Sequence, residues 1–334
     1  MARGRGSSRP VPDLIAFVLL LAITAYSTAG GVDFGAGIWD LMAGNSPRGR
    51  EARALIDHAM APVWEVNNVW LVLAIVLTWT GFPILFQQVF SSLYPLFTFA
   101  LLGLVLRGAF FAFRHVAEEP RAHRIADVVF GLSSLLTPFF FAASLGAIAS
   151  GHLVPFSPMS VAFGLVSLAA TAFSGASFLV GDARRYGAPE LVVHFQRRTV
   201  VAAAALIAVG TFALGVIWWQ APDLLRSMLA GKGLPFALAT MILTPLATFL
   251  IWRGIFRWYR VLTVAAVGSM VFAWAFAQSP YLVPGQLTIS QAIAPPPTQV
   301  LLLVVAAVVV LVIGPAMGLL YYLDQRSALE SPES

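Results

Sequence analysis

Two stretches decide the fold: Gly30-Gly31-Val32-Asp33-Phe34-Gly35-Ala36-Gly37-Ile38-Trp39-Asp40 and Ala61-Pro62-Val63-Trp64-Glu65-Val66-Asn67-Asn68-Val69-Trp70. Each sets an acid, Asp33 or Glu65, in or beside sequence that otherwise reads as membrane span. An ionisable group in hydrocarbon costs roughly 2.5–3.5 kcal/mol on insertion scales, so it is retained where it pairs, lines water or does chemistry. The glycines around Asp33 remove side chains from the helix surface and let another backbone approach closely. Two readings stand side by side: an acid that works, or an acid hydrogen-bonded to a neighbouring helix purely as glue. An intramembrane acid is functional by default.

Working outward, the whole chain is built for an apolar solvent. Hydrophobic residues make up 59 % and charged residues 10 %, with a mean hydropathy of +0.84. Soluble domains run about 45–50 % apolar and 25 % charged, so this is an all-α, polytopic integral membrane protein whose first partner is the lipid bilayer. The net charge of +5 is small and sits in loops, which reports orientation and gives no reason to expect nucleic acid. Cysteine is absent, which removes disulfides, thiolate metal sites and iron–sulfur ligation by this chain.

A span needs about 20 apolar residues. Nine candidates follow: 13–40, 64–81, 84–106, 125–149, 159–180, 199–219, 234–256, 258–278 and 299–323. The chain then reads as one membrane domain, 1–334, with an N-terminal tail at 1–12 and a C-terminal tail at 324–334. Arg3, Arg5 and Arg9 before an apolar run resemble a signal peptide, but the glycine–acid stretch follows at once, so an uncleaved first helix is expected. That helix is long for one crossing, so its glycine-rich end runs beyond the hydrocarbon or tilts. Arg253, Arg257 and Arg260 mark the turn between the seventh and eighth spans.

If successive spans alternate, one face collects Arg3, Arg5, Arg9, Arg226 and Lys232, and the other face collects the remaining fifteen basic residues. The positive-inside rule puts the second face in the cytoplasm, with the N-terminus outside and the C-terminus inside. Asp33 lies about 20 residues into the first helix, hence ~30 Å along it and near the cytoplasmic end. Glu65 begins the second helix from that side, and Arg107 ends the third there. Three ionisable residues from three helices converge at one depth, as a structural charge cluster or as the mouth of a proton-conducting path. Spacing alone does not separate the two.

The tryptophans gather near span ends, where an aromatic belt is expected, while Trp64 and Trp70 flank Glu65 and Asn68. His58, His115, His123, His152 and His194 all fall in loops or at interfaces, none mid-span where a membrane haem would be held. No pair has metal-site spacing within one helix. The uncharged, proline-rich stretch 279–298 reads as an external loop, a lid or a surface packed on another subunit.

With these residues in view, the chain resembles subunit II of the cytochrome bd-type quinol oxidases. Gly31-Val32-Asp33-Phe34-Gly35-Ala36-Gly37 resembles the family's glycine-aromatic-Asp-x-Gly-x-Gly element. Pro62-Val63-Trp64-Glu65-Val66-Asn67-Asn68-Val69-Trp70-Leu71 resembles its Pro-x-Trp-acid-Gly-Asn-x-Val-Trp-Leu element. Arg107 to Arg114 resembles an Arg-Pro-x-Gly-Phe-acid-aromatic-Arg segment, and Pro280-Tyr281-Leu282-Val283-Pro284 with Leu287-Thr288-Ile289 resembles the last external loop. Four elements in order make the resemblance specific. Val32, Val66 and Gly108 depart from the pattern, Glu65 is the longer acid, and Ala112 stands where a carboxylate is common.

The resemblance implies about nine transmembrane helices in two four-helix bundles plus one peripheral helix, in a bacterial cell membrane. It implies a larger partner, subunit I, holding two haems b and one haem d and oxidising quinol, with dioxygen reduced to water by protons drawn from the cytoplasm. This chain would bind no haem or metal itself. Some members add a small third subunit or a structural quinone. Asp33, Glu65 and Arg107 would line a proton path, supported by Trp64, Asn67, Asn68, Trp70 and Arg114. With Ala112 in place of the acid, that path needs water or another carboxylate. Two other functions fit the same residues: a scaffold whose polar cluster only locks helices, and a proton-coupled transporter.

Overall fold

The computed structural model describes residues 10–44, 46–60, 64–116, 120–313, 315–316 and 319; the side chains of residues 10, 60, 64–66, 115, 116, 120, 123, 310 and 313 are outside that description. Helices account for nearly all of it. Proline opens many of them, at Pro10, Pro47, Pro83, Pro120, Pro158, Pro189, Pro222 and Pro296. The first helical residue has no intrahelical use for an N–H, and the ring presets the helical φ.

The chain begins as one long rod: α1 (Pro10–Ala25), a π-helical turn (Tyr26–Gly30) and α2 (Gly31–Leu41). Its 31 residues from Val11 to Leu41 measure ~46 Å at 1.5 Å per residue, well beyond a ~30 Å hydrocarbon core. The connection to the second span contains a helix of its own, α3 (Pro47–Met60), which buries Ala52, Leu55 and Ile56 and turns Arg48 and Arg50 outward. Sequence reading took this stretch as a loop, because it is too short and too charged to cross a membrane.

α4 (Trp64–Val76) runs into a second π-helical turn (Leu77–Gly81), and α5 (Pro83–Ser92) leaves it at 113°. Here the expected third span, 84–106, needs correction. The helix breaks at Phe82, whose φ and ψ are −130° and 62°, and again at Leu93, so the crossing is made by α6 (Tyr94–Val116) instead. Proline at position 83 cannot donate the bond that would carry the preceding helix through.

Long crossings follow in α7 (Pro120–Ala149), α8 (Pro158–Arg185) and α9 (Pro189–Gln220), then the short α10 (Pro222–Ala230), α11 (Leu234–Trp252) and α12 (Tyr259–Gln278). The break between α11 and α12 holds Gly254 at φ +72° and Trp258 at φ +68°, which ends the helix among its arginines as the sequence indicated. Among the described residues seven helices are long and apolar enough to cross, and eight if the bent pair counts as one span. The expected ninth, 299–323, is described as α14 (Pro296–Val308) followed by a π-helical turn (Val309–Ile313).

The stretch 279–298 is not an open loop. It forms a small antiparallel hairpin, β1 (Tyr281–Val283) and β2 (Leu287–Thr288), then the single turn α13 (Ile289–Ala292). Val283, Leu287 and Ala292 are buried in this chain's own core beside Leu77, Phe82, Leu93 and Leu302. Part of its apolar surface is thus packed within the chain, while Tyr281 stays exposed.

The second core cluster positions the acids. Phe173, Phe195, Ile251 and Tyr259 pack there with Trp39 of α2. α2 crosses α8 at Gly35 and Gly175: a Cβ on Gly35 would collide with the Thr171 carbonyl and lie 2.8 Å from the Gly175 Cα. Only paired glycines permit that approach, and it brings α2 into the crevice between α7 and α8. Trp39, expected in an aromatic belt, is instead buried there and donates its indole N–H to the Ala172 carbonyl at 2.8 Å.

Candidate functional site

Three helices carry polar residues at one interval: Asp33 and Asp40 on α2, Arg107 and Arg114 on α6, Asp127 and Ser134 on α7. Seven residues is two helical turns, so each pair shares a face with ~10.5 Å between its members. α7 runs against the other two, and the six residues close into two layers.

In the inner layer Arg107 is fully buried and Asp33 nearly so. The Arg107 guanidinium donates Nη2 to Asp33 Oδ1 at 2.8 Å and to the Asp33 carbonyl at 3.1 Å, while Nη1 donates to Ser134 Oγ. Ser134 Oγ in turn donates to the Phe130 carbonyl at 2.7 Å. The rings of Phe34 and Phe130 lie 4.9 and 4.4 Å from the guanidinium carbon, an arrangement worth about 2 kcal/mol or more when water is excluded. Gly37 makes the space, since a Cβ there would lie 2.7 Å from Arg107 Nη1 and 2.8 Å from the Ser134 Cβ.

Arg114 is the hub of the outer layer. Its Nη1 meets Asp40 Oδ2 at 3.3 Å, Nη2 meets Asp57 Oδ1 at 2.9 Å, and Nε meets Asp127 Oδ1 at 3.3 Å. Arg53 of α3 reaches Asp40 Oδ1 at 3.1 Å and Asp127 Oδ2 at 3.7 Å. The carboxylates grade in exposure, with Asp57 at 34 %, Asp127 at 13 % and Asp40 at 1 %. The outer layer therefore touches the surface and the inner layer is sealed. Asp33 also lines a small cavity of about 20 Å³ with Val32, Ala36, Ala59, Gly175, Phe178, Leu179 and Asp182. A volume of roughly 10–15 Å³ already admits one water.

Of the residues singled out from sequence, Asp33 and Arg107 are brought into direct contact, and Arg114 does far more than support them. The backbone of Trp64 and Glu65 opens α4, but their side chains lie outside the described residues. α4 packs on α1 and on the π-helical turn that precedes Asp33. Asn67 is buried with neither amide atom hydrogen-bonded among the described residues, and Asn68 and Trp70 are half-buried. Ala112 is exposed and not turned toward the Arg114 hub, so an acid placed there would not join it.

Sequence reading missed Arg53, Asp40, Asp57 and Asp127. The seven-residue interval was the available signal for Asp40 and Asp127; Arg53 and Asp57 were hidden in a stretch taken as loop. Among the histidines, His58 packs edge-on to Tyr186, His194 packs on Phe195, and His152 Nδ1 lies 2.8 Å from the Ser150 carbonyl. Among the described residues no group of His, Asp and Glu has metal-binding geometry.

The fold and the buried ladder define a polytopic helical membrane protein with charged groups threaded through its core. A solved bd oxidase from Geobacillus thermodenitrificans has a chain of the same fold, with a TM-score of 0.75 at 21 % identity, covering 94 % of this chain and 98 % of that one. The model of the cytochrome bd terminal oxidase subunit II family matches residues 11–324, and the chain belongs to that family. Among relatives, cytochrome bd-I ubiquinol oxidase subunit 2 of Escherichia coli K12 is 26 % identical over 223 residues, 61 % of this chain and 55 % of the relative. Cytochrome bd ubiquinol oxidase subunit 2 of Bacillus subtilis is 29 % identical over 127 residues, 38 % and 37 % of the two chains. The match to the first thus spans about half that relative's length.

Proposed function

We propose that this chain is the haem-free subunit II of a bd-type quinol oxidase and that it delivers protons toward a larger, haem-bearing subunit I. In that complex subunit I would hold two haems b and haem d and oxidise quinol, and dioxygen would be reduced to water with protons from the cytoplasm. Family membership supports the assignment, and the buried ladder supports the proton role. The observation that carries it is Asp33, sealed in the bilayer region with its Oδ1 on Arg107, beside a cavity wide enough for one water.

The division of labour follows from geometry. Arg107, clamped by two rings and three acceptors, holds Asp33 in one place and supplies the counter-charge a buried acid needs. The outer carboxylates Asp57, Asp127 and Asp40 lead inward from the surface, with Arg53 and Arg114 fixing them. α2, α6, α8 and α11 would end on the cytoplasmic side, where their arginines and those of α3 collect; Arg48 on Glu190 and Arg198 on the Met42 carbonyl tie these ends together. The N-terminus would then be outside and the C-terminus inside, in a bacterial cell membrane.

A scaffold role is favoured by a separate observation: the Arg114 hub joins α2, α3, α6 and α7, which would hold the fold whether or not protons pass. Purification through a tag in mild detergent, followed by a reduced-minus-oxidised visible spectrum, tests the assignment. Bands of b- and d-type haem with a larger co-purifying subunit are the expected result. A colourless chain purifying alone would contradict it.

A further inference from the structure

We infer that Asp182 is a proton relay to Asp33, across the small cavity that both residues line between α2, α3 and α8. The inference rests on the proton-delivering role of Asp33 proposed above. The cavity supplies the two things such a route needs, room for water and a second acid.

The geometry is asymmetric in a useful way. Asp33 commits Oδ1 to Arg107 at 2.8 Å, so Oδ2 is the atom left to meet a water in the cavity. Asp182 sits in the last turn of α8, with its side chain 15 % exposed, and so borders both the cavity and the surface. Its Oδ1 accepts from Arg260 Nη2 at 2.7 Å and from Arg185 Nη2 at 2.9 Å. Arg260 is itself anchored on the Phe178 carbonyl at 3.2 Å, and Phe178 is another wall of the cavity. The remaining walls, Val32, Ala36, Ala59, Gly175 and Leu179, offer no competing side-chain donor or acceptor, so a water there would find its partners in the two acids and the backbone. The proton passes from bulk water to Asp182, from Asp182 to the cavity water, and from that water to Asp33; each transfer breaks one O–H bond and forms another, with no change in oxidation state.

The test uses the intact complex with its haem subunit, measuring oxygen consumption per haem with a soluble quinol across pH and in heavy water. Asp182→Asn removes the relay, and Ala59→Leu fills the cavity while keeping both acids in the chain. Both are expected to lower turnover by about a hundredfold, the low end of what a positioned acid–base group contributes, and to enlarge the solvent isotope effect. Asp182→Glu should restore most of the rate, and Arg260→Gln, which removes one of the two ion pairs but keeps the acid, should leave it nearly intact. A slow Arg260→Gln beside an equally slow Asp182→Asn would overturn the relay in favour of a structural ion pair. Normal turnover in Asp182→Asn and Ala59→Leu, with Asp33→Asn slow, would also overturn it and leave the role of Asp33 standing. Normal turnover in all three would remove both readings. Should Asp182→Asn fail to assemble, Ala59→Leu decides alone.

Discussion

Separating Asp33 from Arg107 is the sharpest perturbation the structure offers. Both side chains are shut away from water, and their contact is a single 2.8 Å charge-assisted bond backed by a second bond to the Asp33 carbonyl. Removing one partner of a buried pair strands the other and costs about 3–5 kcal/mol. Replacing both by apolar groups of similar size strands neither, and such exchanges are often nearly neutral. Asp33→Leu and Arg107→Met are therefore each expected to cost about 3–5 kcal/mol, and the double variant at least ~2 kcal/mol less than the sum of the two. Arg107 also serves Ser134, so its single variant should be the worse of the pair. The assay is a double-mutant cycle on detergent-purified complex, read as denaturant midpoints and as yield of assembled protein. Additivity within about 0.5 kcal/mol would refute the reasoning, because it would mean the two charges do not feel each other.

Other consequences are equally checkable. Gly37→Ala drives a methyl group against Arg107 and Ser134, so a loss of about 1–3 kcal/mol in thermal or denaturant stability is expected, without any change in charge. Gly35→Ala should be at least as damaging, since its Cβ would meet the backbone of α8, and it should be read as loss of assembled complex on gel filtration. Arg114→Gln leaves Asp40 with Arg53 as its cation and loosens α3, which limited proteolysis between residues 47 and 60 would report as faster cleavage. Trp39→Phe keeps an aromatic ring but removes the indole donor to the Ala172 carbonyl, at about 0.5–1.5 kcal/mol, measurable as a lower unfolding midpoint.

How far the sequence spoke can be traced residue by residue. Apolar runs with prolines at their starts gave most helices, because length and hydrophobicity alone decide what enters a bilayer. The run from 84 to 106 misled, since composition does not register a bend; only Pro83 hinted that one helix was ending and another beginning. The amphipathic α3 stayed hidden for the opposite reason: its arginines made it look like a linker, whereas Ala52, Leu55 and Ile56 dock it under the outer layer. Within the site, Asp33 and Arg107 stood out as charges in apolar surroundings. Their pairing with each other depends on the rotation of α2 about α8, which the Gly35–Gly175 crossing fixes and no single helix encodes. Asp182 could not have been found from sequence, because it sits in a charged helix end and matters only through the cavity it shares with a helix some 150 residues away.

The central claim is that protons reach the haem subunit through Asp33. It is tested most directly by oxygen consumption per haem in the purified complex carrying Asp33→Asn, at neutral pH and saturating quinol. The account predicts that haems assemble with their normal spectrum while turnover falls by about a hundredfold or more. Turnover per haem equal to that of the unaltered complex would contradict it and leave this chain as a scaffold.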